Sequence, residues 1–227
     1  MTDPAAGGTT QRIPESLRQA VSCDLKPVCP LAAPWRRMLW VVPLTIVAFL
    51  LPQLIMGPRP DLDQIGMVLG WLPMIVQLLL GLGLLGMALR EAVPGIGISR
   101  GRIGGLMIAA IGLHVLVNAA IWRFYPTTVE GVWSLWWMCF RHELFLGIPF
   151  LLVVAWLAVR ALPVRPRTIG LLSGVGAGVM ADATWRMVCP ISEVSHVLSS
   201  HLAPVFVLGA LGYFLGWIWE RSRYSIG

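Results

Sequence analysis

Residues 66–88 read GMVLGWLPMIVQLLLGLGLLGMA, 23 positions without one charged side chain. A helix of about 20 apolar residues crosses the hydrocarbon core of a bilayer. Inside lipid every backbone amide needs an internal partner, so such a run is read as a helix. Working outward from it, five further runs have the same character. The expected spans are residues 39–57, 66–88, 104–122, 144–162, 168–188 and 203–219. The sequence therefore predicts an all-α fold, a polytopic membrane helical bundle of about six transmembrane helices. It divides the chain into a tail (1–37), the bundle (38–220) and a short second tail (221–227).

Composition and charge agree with this reading. The chain is 57% hydrophobic and 12% charged, whereas soluble domains carry roughly 25% charged residues. Lipid relieves the burial problem, because apolar side chains then face outward. The net charge of +6 raises the question of nucleic acid. The bases, however, sit mostly in short segments between apolar runs, as topology signals do. With the N-terminus inside, the inner segments hold Arg12, Arg18, Lys26, Arg36, Arg37, Arg90, Arg100, Arg102, Arg160, Arg165, Arg167, Arg221 and Arg223. The outer segments hold Arg59, Arg123, Arg141 and Arg186, with the acids Asp61, Asp63, Glu130, Glu143 and Glu193. This bias predicts an N-in/C-in protein of the bacterial inner membrane, in contact with lipid and without direct nucleic acid binding. Trp35, Trp40, Trp122, Trp133, Trp136, Trp137, Trp217 and Trp219 fall near the expected interfaces. The first apolar run begins too late for a cleavable signal, so none is expected.

In the tail, Ile13, Leu17, Val21 and Leu25 recur every four residues. That spacing forms one stripe of a short helix, with Pro14 suited to its first turn. Two readings stand: a helix lying on the membrane or the bundle, or an arm that orders when a cytoplasmic partner covers its stripe. Cys23 and Cys29 lie in the same tail and read as incidental thiols. Cys139 and Cys189 both fall at the outer face, at the start of the fourth span and the end of the fifth. They fit a structural disulfide, unpaired thiols, or a redox- or metal-responsive pair. His142, His196 and His201 accompany them in sequence. Two thiolates with imidazoles form a candidate site for a thiophilic divalent ion.

The fifth span carries Gly170, Gly174 and Gly178 at four-residue steps, a spacing that lets helix backbones approach closely. Asp182 and Arg186 continue the series as a candidate ion pair. Gln77, His114 and Asn118 are the other polar groups within spans. With Asp182 they define an alternative reading, a small transporter or channel. No phosphate-cradling loop, H-E-x-x-H, G-x-S-x-G or C-x-x-C is present, so no enzyme and no obligatory cofactor is expected. A membrane thiol oxidoreductase would need the last of these.

One long pattern is specific. Cys139 opens the fourth span, and Arg160-Ala-Leu-Pro-Val-Arg-Pro-Arg167 fills the following inner loop. A Gly/Ala-rich fifth span comes next, then Cys189-Pro190. The tail adds Ser16-Leu17, Asp24-Leu25-Lys26-Pro27-Val28 and Arg36-Arg37. In this order and spacing, over residues of about 15 to 220, the chain resembles the NrsF-type anti-sigma factors, six-span proteins named as negative regulators of sigma factor F. The resemblance implies a protein that holds an extracytoplasmic-function sigma factor at the membrane until a periplasmic signal releases it. It implies that Cys139 and Cys189 sense heavy-metal ions or oxidants, a soft divalent ion then being a signal. Sigma contact is expected at Leu17, Val21, Leu25, Lys26, Pro27 and Val28.

Overall fold

The computed structural model describes residues 14–24, 31–126 and 132–224. Most of these residues are helical, with no strand among them. The chain forms two units, Met1–Leu31 and Ala32–Gly227. In the first, α1 (Glu15–Asp24) starts directly after Pro14, whose carbonyl accepts from the amides of Leu17 and Arg18 at 3.0 and 3.1 Å. Glu15 in the first turn suits the positive end of the helix dipole. Leu17 and Val21 are both more than half exposed. Ile13, Leu25, Lys26, Pro27, Val28 and Cys29 lie outside the described residues.

The second unit contains α2 (Pro34–Met38), α3 (Val41–Met56), α4 (Leu62–Gly70), α5 (Leu72–Glu91), α6 (Arg100–Phe124), α7 (Val132–Val159), α8 (Pro166–Trp185), α9 (Val194–His196) and α10 (Ala203–Tyr224). A π-helical turn, Val197–Leu202, joins the last two. Five stretches are long and apolar enough to cross a membrane: Pro34–Met56, Val68–Glu91, Arg100–Phe124, Leu135–Val159 and Val194–Arg223. They correspond to the expected spans other than the fifth.

The fifth expected span is α8, which falls short in apolarity for a physical reason. Every residue from Leu172 to Trp185 is buried, on all faces of the helix. Its main neighbours are α10, α5 and α7, with α3 beside them. A helix wrapped by other helices has no lipid to satisfy, so it can hold glycine, serine, threonine and an aspartate. Gly170, Gly174 and Gly178 form the contact with α10. A Cβ at Gly170 would strike the Gly212 carbonyl, and one at Gly174 the Leu208 carbonyl. A Cβ at Gly178 would lie 2.6 Å from Val205 Cα. The partner numbers fall as the α8 numbers rise, so the two helices run antiparallel. Gly212 and Gly216 supply the reciprocal half of the seam against Gly170 and Pro166.

Two helical stretches begin well before the expected boundaries. The sequence reading starts the fourth span at residue 144, but α7 begins at Val132, so Cys139 sits inside a helix. Arg141, His142 and Glu143 break the apolar run and hide this continuation from hydropathy. The sixth span was expected from residue 203, with His196 and His201 in a loop. Both are instead helical and fully buried.

Buried ion pairs and hydrogen bonds tie the bundle at each end. At one end Arg37 is buried and donates to the carbonyls of Leu89, at 3.3 Å, and Leu157. Nearby, the buried Glu91 accepts from Ile98 N at 2.7 Å and from Arg165 Nη1 at 3.0 Å. Arg160, Arg221 and Arg223 lie over Trp156, Trp217 and Trp219 at 3.9, 4.1 and 4.1 Å. At the other end Arg59, expected in an outer segment, is 4% exposed. It holds Asp61 at 2.6 Å, and its amide donates to Met187 O at 2.8 Å. It thereby clamps the connection that carries Cys189.

Candidate functional site

The site lies where α7, the end of α8 and the π turn meet. Cys139 Sγ and Cys189 Sγ are 3.6 Å apart, both free and both buried. Cys189 follows α8, whose chain turns back through backbone bonds from the amides of Val188 and Cys189 to Trp185 O. Its sulfur lies 3.4 Å from His196 Nε2. The ligating atoms of Cys139, Cys189, His196 and His201 all fall within 4.8 Å of one another.

The backbone explains how the two histidines converge. In an α-helix, residues five apart point about 140° away from each other, at 100° per residue. The π turn hydrogen-bonds i to i+5 and so stacks such residues. His196 and His201 therefore share one face, with ring centroids 5.1 Å apart. His196 Nδ1 lies 3.4 Å from Ser200 Oγ.

Behind His201 sits a layer of charge. Its Nδ1 lies 3.0 Å from Asp182 Oδ1 and also against Glu143 Oε1. All three residues are fully buried. Neither Glu143 oxygen has a hydrogen bond of good geometry, which fits a single Nδ1 proton directed at Asp182. Glu143 was expected as an outer acid. It is buried, one helical turn beyond Cys139 on the same face of α7. The other Asp182 oxygen, Oδ2, faces His114 Nδ1 at 2.7 Å and accepts from Gln77 Nε2. Asn118 closes the chain by donating to His114 O at 2.8 Å. Gln77, His114, Asn118 and Asp182 thus bind one another rather than stand apart along a path.

Asp182 does not pair with Arg186 as its spacing allowed. Arg186 Nη1 donates to Ile191 O at 2.8 Å, and the imidazoles take the carboxylate. His142 also goes elsewhere. Its Nδ1 meets Met138 O at 2.6 Å and its ring stacks on Trp185 at 4.6 Å, so it stands outside the cluster. Cys23 is exposed on α1. Sequence reasoning missed Glu143 and the link from Asp182 to His201. The one available signal was a carboxylate four residues after Cys139.

The two thiols are not equivalent. Cys189, in the connection after α8, is held well below the ordinary thiol range. The hydrogen bond from the Cys139 thiol is the main cause, burial opposes it, and His196 and His201 assist. A thiolate is both the nucleophile and the metal ligand of cysteine chemistry.

Among curated proteins and among solved structures no match was found. A family model does match, over residues 21–221, and its description is negative regulator of sigma F. That match spans the thiol pair, the glycine seam and most of the bundle. The chain belongs to this family, NrsF, and is a negative regulator of a sigma factor.

Proposed function

We propose that this protein is a membrane anti-sigma factor that sequesters an extracytoplasmic-function sigma factor at the cytoplasmic face of a bacterial inner membrane. Release follows when Cys139 and Cys189, at the outer face, meet heavy-metal ions or oxidants. The observation that carries the sensor reading is the 3.6 Å approach of two free thiols from α7 and from the connection after α8. A disulfide needs about 2.05 Å between sulfurs. A small relative shift of the two elements therefore accompanies bond formation. A two-electron oxidant takes the electrons, and the protons still held by the sulfurs leave to solvent. A soft cation instead displaces the protons and bridges the sulfurs.

Sigma contact is assigned to the tail: Leu17 and Val21 on α1, with Leu25, Lys26, Pro27 and Val28 after it. A half-exposed apolar pair on a ten-residue helix is what a partner groove covers. Signal crosses the bundle along α8, which touches the sensor at one end and the base-rich end at the other. Coupling of this kind requires two arrangements of the bundle, with the ligand or bond favouring one. Moving a partner from mostly bound to mostly free takes several kcal/mol of differential stability.

The test is transcription from a sigma-dependent promoter, with and without cadmium-type ions or a strong oxidant. Cys139→Ser and Cys189→Ser should each keep the promoter silent and blunt induction, since a bridge needs both ends. Full induction in the double variant would sink the sensor reading and leave the anti-sigma reading standing.

A further inference from the structure

We propose that Cys139, Cys189, His196 and His201 form a four-coordinate site for a thiophilic divalent cation of the zinc or cadmium type, with Glu143 and Asp182 as the positioning residues of His201. The site's role in release rests on the sensor reading above; its chemistry does not.

Geometry comes first. Zinc binds thiolate at about 2.3 Å and imidazole at about 2.0–2.1 Å, and a tetrahedron of those bonds has edges of about 3.8 Å between sulfurs and about 3.6 Å from sulfur to nitrogen. The observed Cys139–Cys189 and Cys189–His196 edges are 3.6 and 3.4 Å. Both already lie within a few tenths of an ångström of those values.

The donor set selects the ion. Two thiolates and two imidazoles suit zinc and its softer relatives, while magnesium and calcium take oxygen ligands. Two thiolates also balance the charge of the dication they bind. Binding displaces whatever protons the two sulfurs still hold and releases them to solvent.

The histidine is prepared for this role. His201 Nδ1 faces Asp182 and Glu143, whereas its buried Nε2 has no conventional hydrogen bond. Nε2 is the ring atom left for the sulfurs, with which His201 interacts. A carboxylate behind a ligating histidine fixes its tautomer and ring plane and raises its basicity. Asp182 is itself held by His114 and Gln77, so a change at the cation extends to α6 and α5.

The experiment uses the full-length, reduced protein in detergent, without sigma factor, titrated with cobalt(II). One equivalent should bind with the intense visible bands of a tetrahedral ion and a thiolate charge-transfer band. X-ray absorption of the zinc-loaded protein should show two sulfur and two nitrogen ligands. Glu143→Gln should keep the spectrum and weaken affinity about 10–100-fold. His196→Ala and His201→Ala should each change the visible bands. An octahedral or absent cobalt spectrum in the unaltered protein overturns the proposal, whatever the variants do. So do bands and affinity unchanged in both histidine variants, or an all-sulfur zinc shell. Tetrahedral binding without promoter induction by metal would support the site and defeat the metal arm of the sensor reading. Metal-driven induction without binding at these four residues would do the reverse.

Discussion

Asp182 decides how the buried end of the bundle is held. Its two oxygens serve two imidazoles on separate helical elements, His114 on α6 and His201 on the π turn. Removing one member of a buried charged cluster costs about 3–5 kcal/mol, because the remaining charges lose their partner. Asp182→Asn should therefore lower the thermal midpoint of the detergent-solubilised protein markedly. Asn118→Ala, which loses a donor to a helical carbonyl, should cost only about 0.5–1.5 kcal/mol. The thiols carry a different prediction. In a promoter assay Cys23→Ser, an exposed thiol on α1, should respond to inducer as the unaltered protein does. Both Cys139→Ser and Cys189→Ser should fail to respond. Equal responses in all three would remove any special standing from the buried pair.

At the scale of elements, the α8–α10 seam makes the sharpest prediction. Gly174→Ala places a methyl into the Leu208 carbonyl, which belongs to backbone and cannot swing away. The helices must part, at about 1–3 kcal/mol or more. Gly104→Ala on α6 meets nothing within 4 Å. Relieved of the glycine entropy cost, that variant should be neutral or gain about 0.5–1 kcal/mol. Paired unfolding curves of the two variants check the assignment of the seam, and equal stabilities would refute it. The tail helix is predicted separately. Leu17→Asp on α1 puts a carboxylate where an apolar contact would desolvate it. Retention of sigma factor in co-purification should fall by at least about tenfold, equivalent to 1.4 kcal/mol, while the bundle still inserts. Undiminished retention after deletion of residues 1–30 would show that the tail is not the binding arm.

For the molecule as a whole, the question is which end faces which compartment. The proposed orientation puts the Arg90, Arg165 and Arg223 end in the cytoplasm and the thiol end outside. Reporter fusions after those three residues should report cytoplasm, and fusions near Asp61 and Glu193 should report periplasm. Cytoplasmic signal at Glu193 would place Cys189 on the reducing side and end the periplasmic sensor reading. The same architecture is the reason for proposing a signal route through α8. It is buried from Leu172 to Trp185 and touches α10, α5, α7 and α3, so a shift at its thiol end disturbs several neighbours together.

The sequence by itself determined the helices, because bilayer thickness imposes a run length that composition displays directly. Alternation of the bases along the chain, the small-residue seam and the grouping of Cys139 with Cys189 at one end came from the same linear regularities. Tertiary structure alone decided the rest. Glu143, His196 and His201 were read as outer-face residues because charge and imidazole lower hydropathy wherever they occur. They are buried beside one another and beside Asp182 and Cys189, a property of neighbours in space that no single-residue scale contains. The convergence of His196 with His201 depends on a π turn, and five-residue spacing on an α-helix would have separated them. Asp182 chose imidazoles over the nearby Arg186 because His114 and His201 reach it from other elements, while Arg186 satisfies the Ile191 carbonyl instead. The low apolarity of α8 had the same origin: a helix surrounded by helices answers to packing, and only a helix facing lipid must advertise itself by hydropathy.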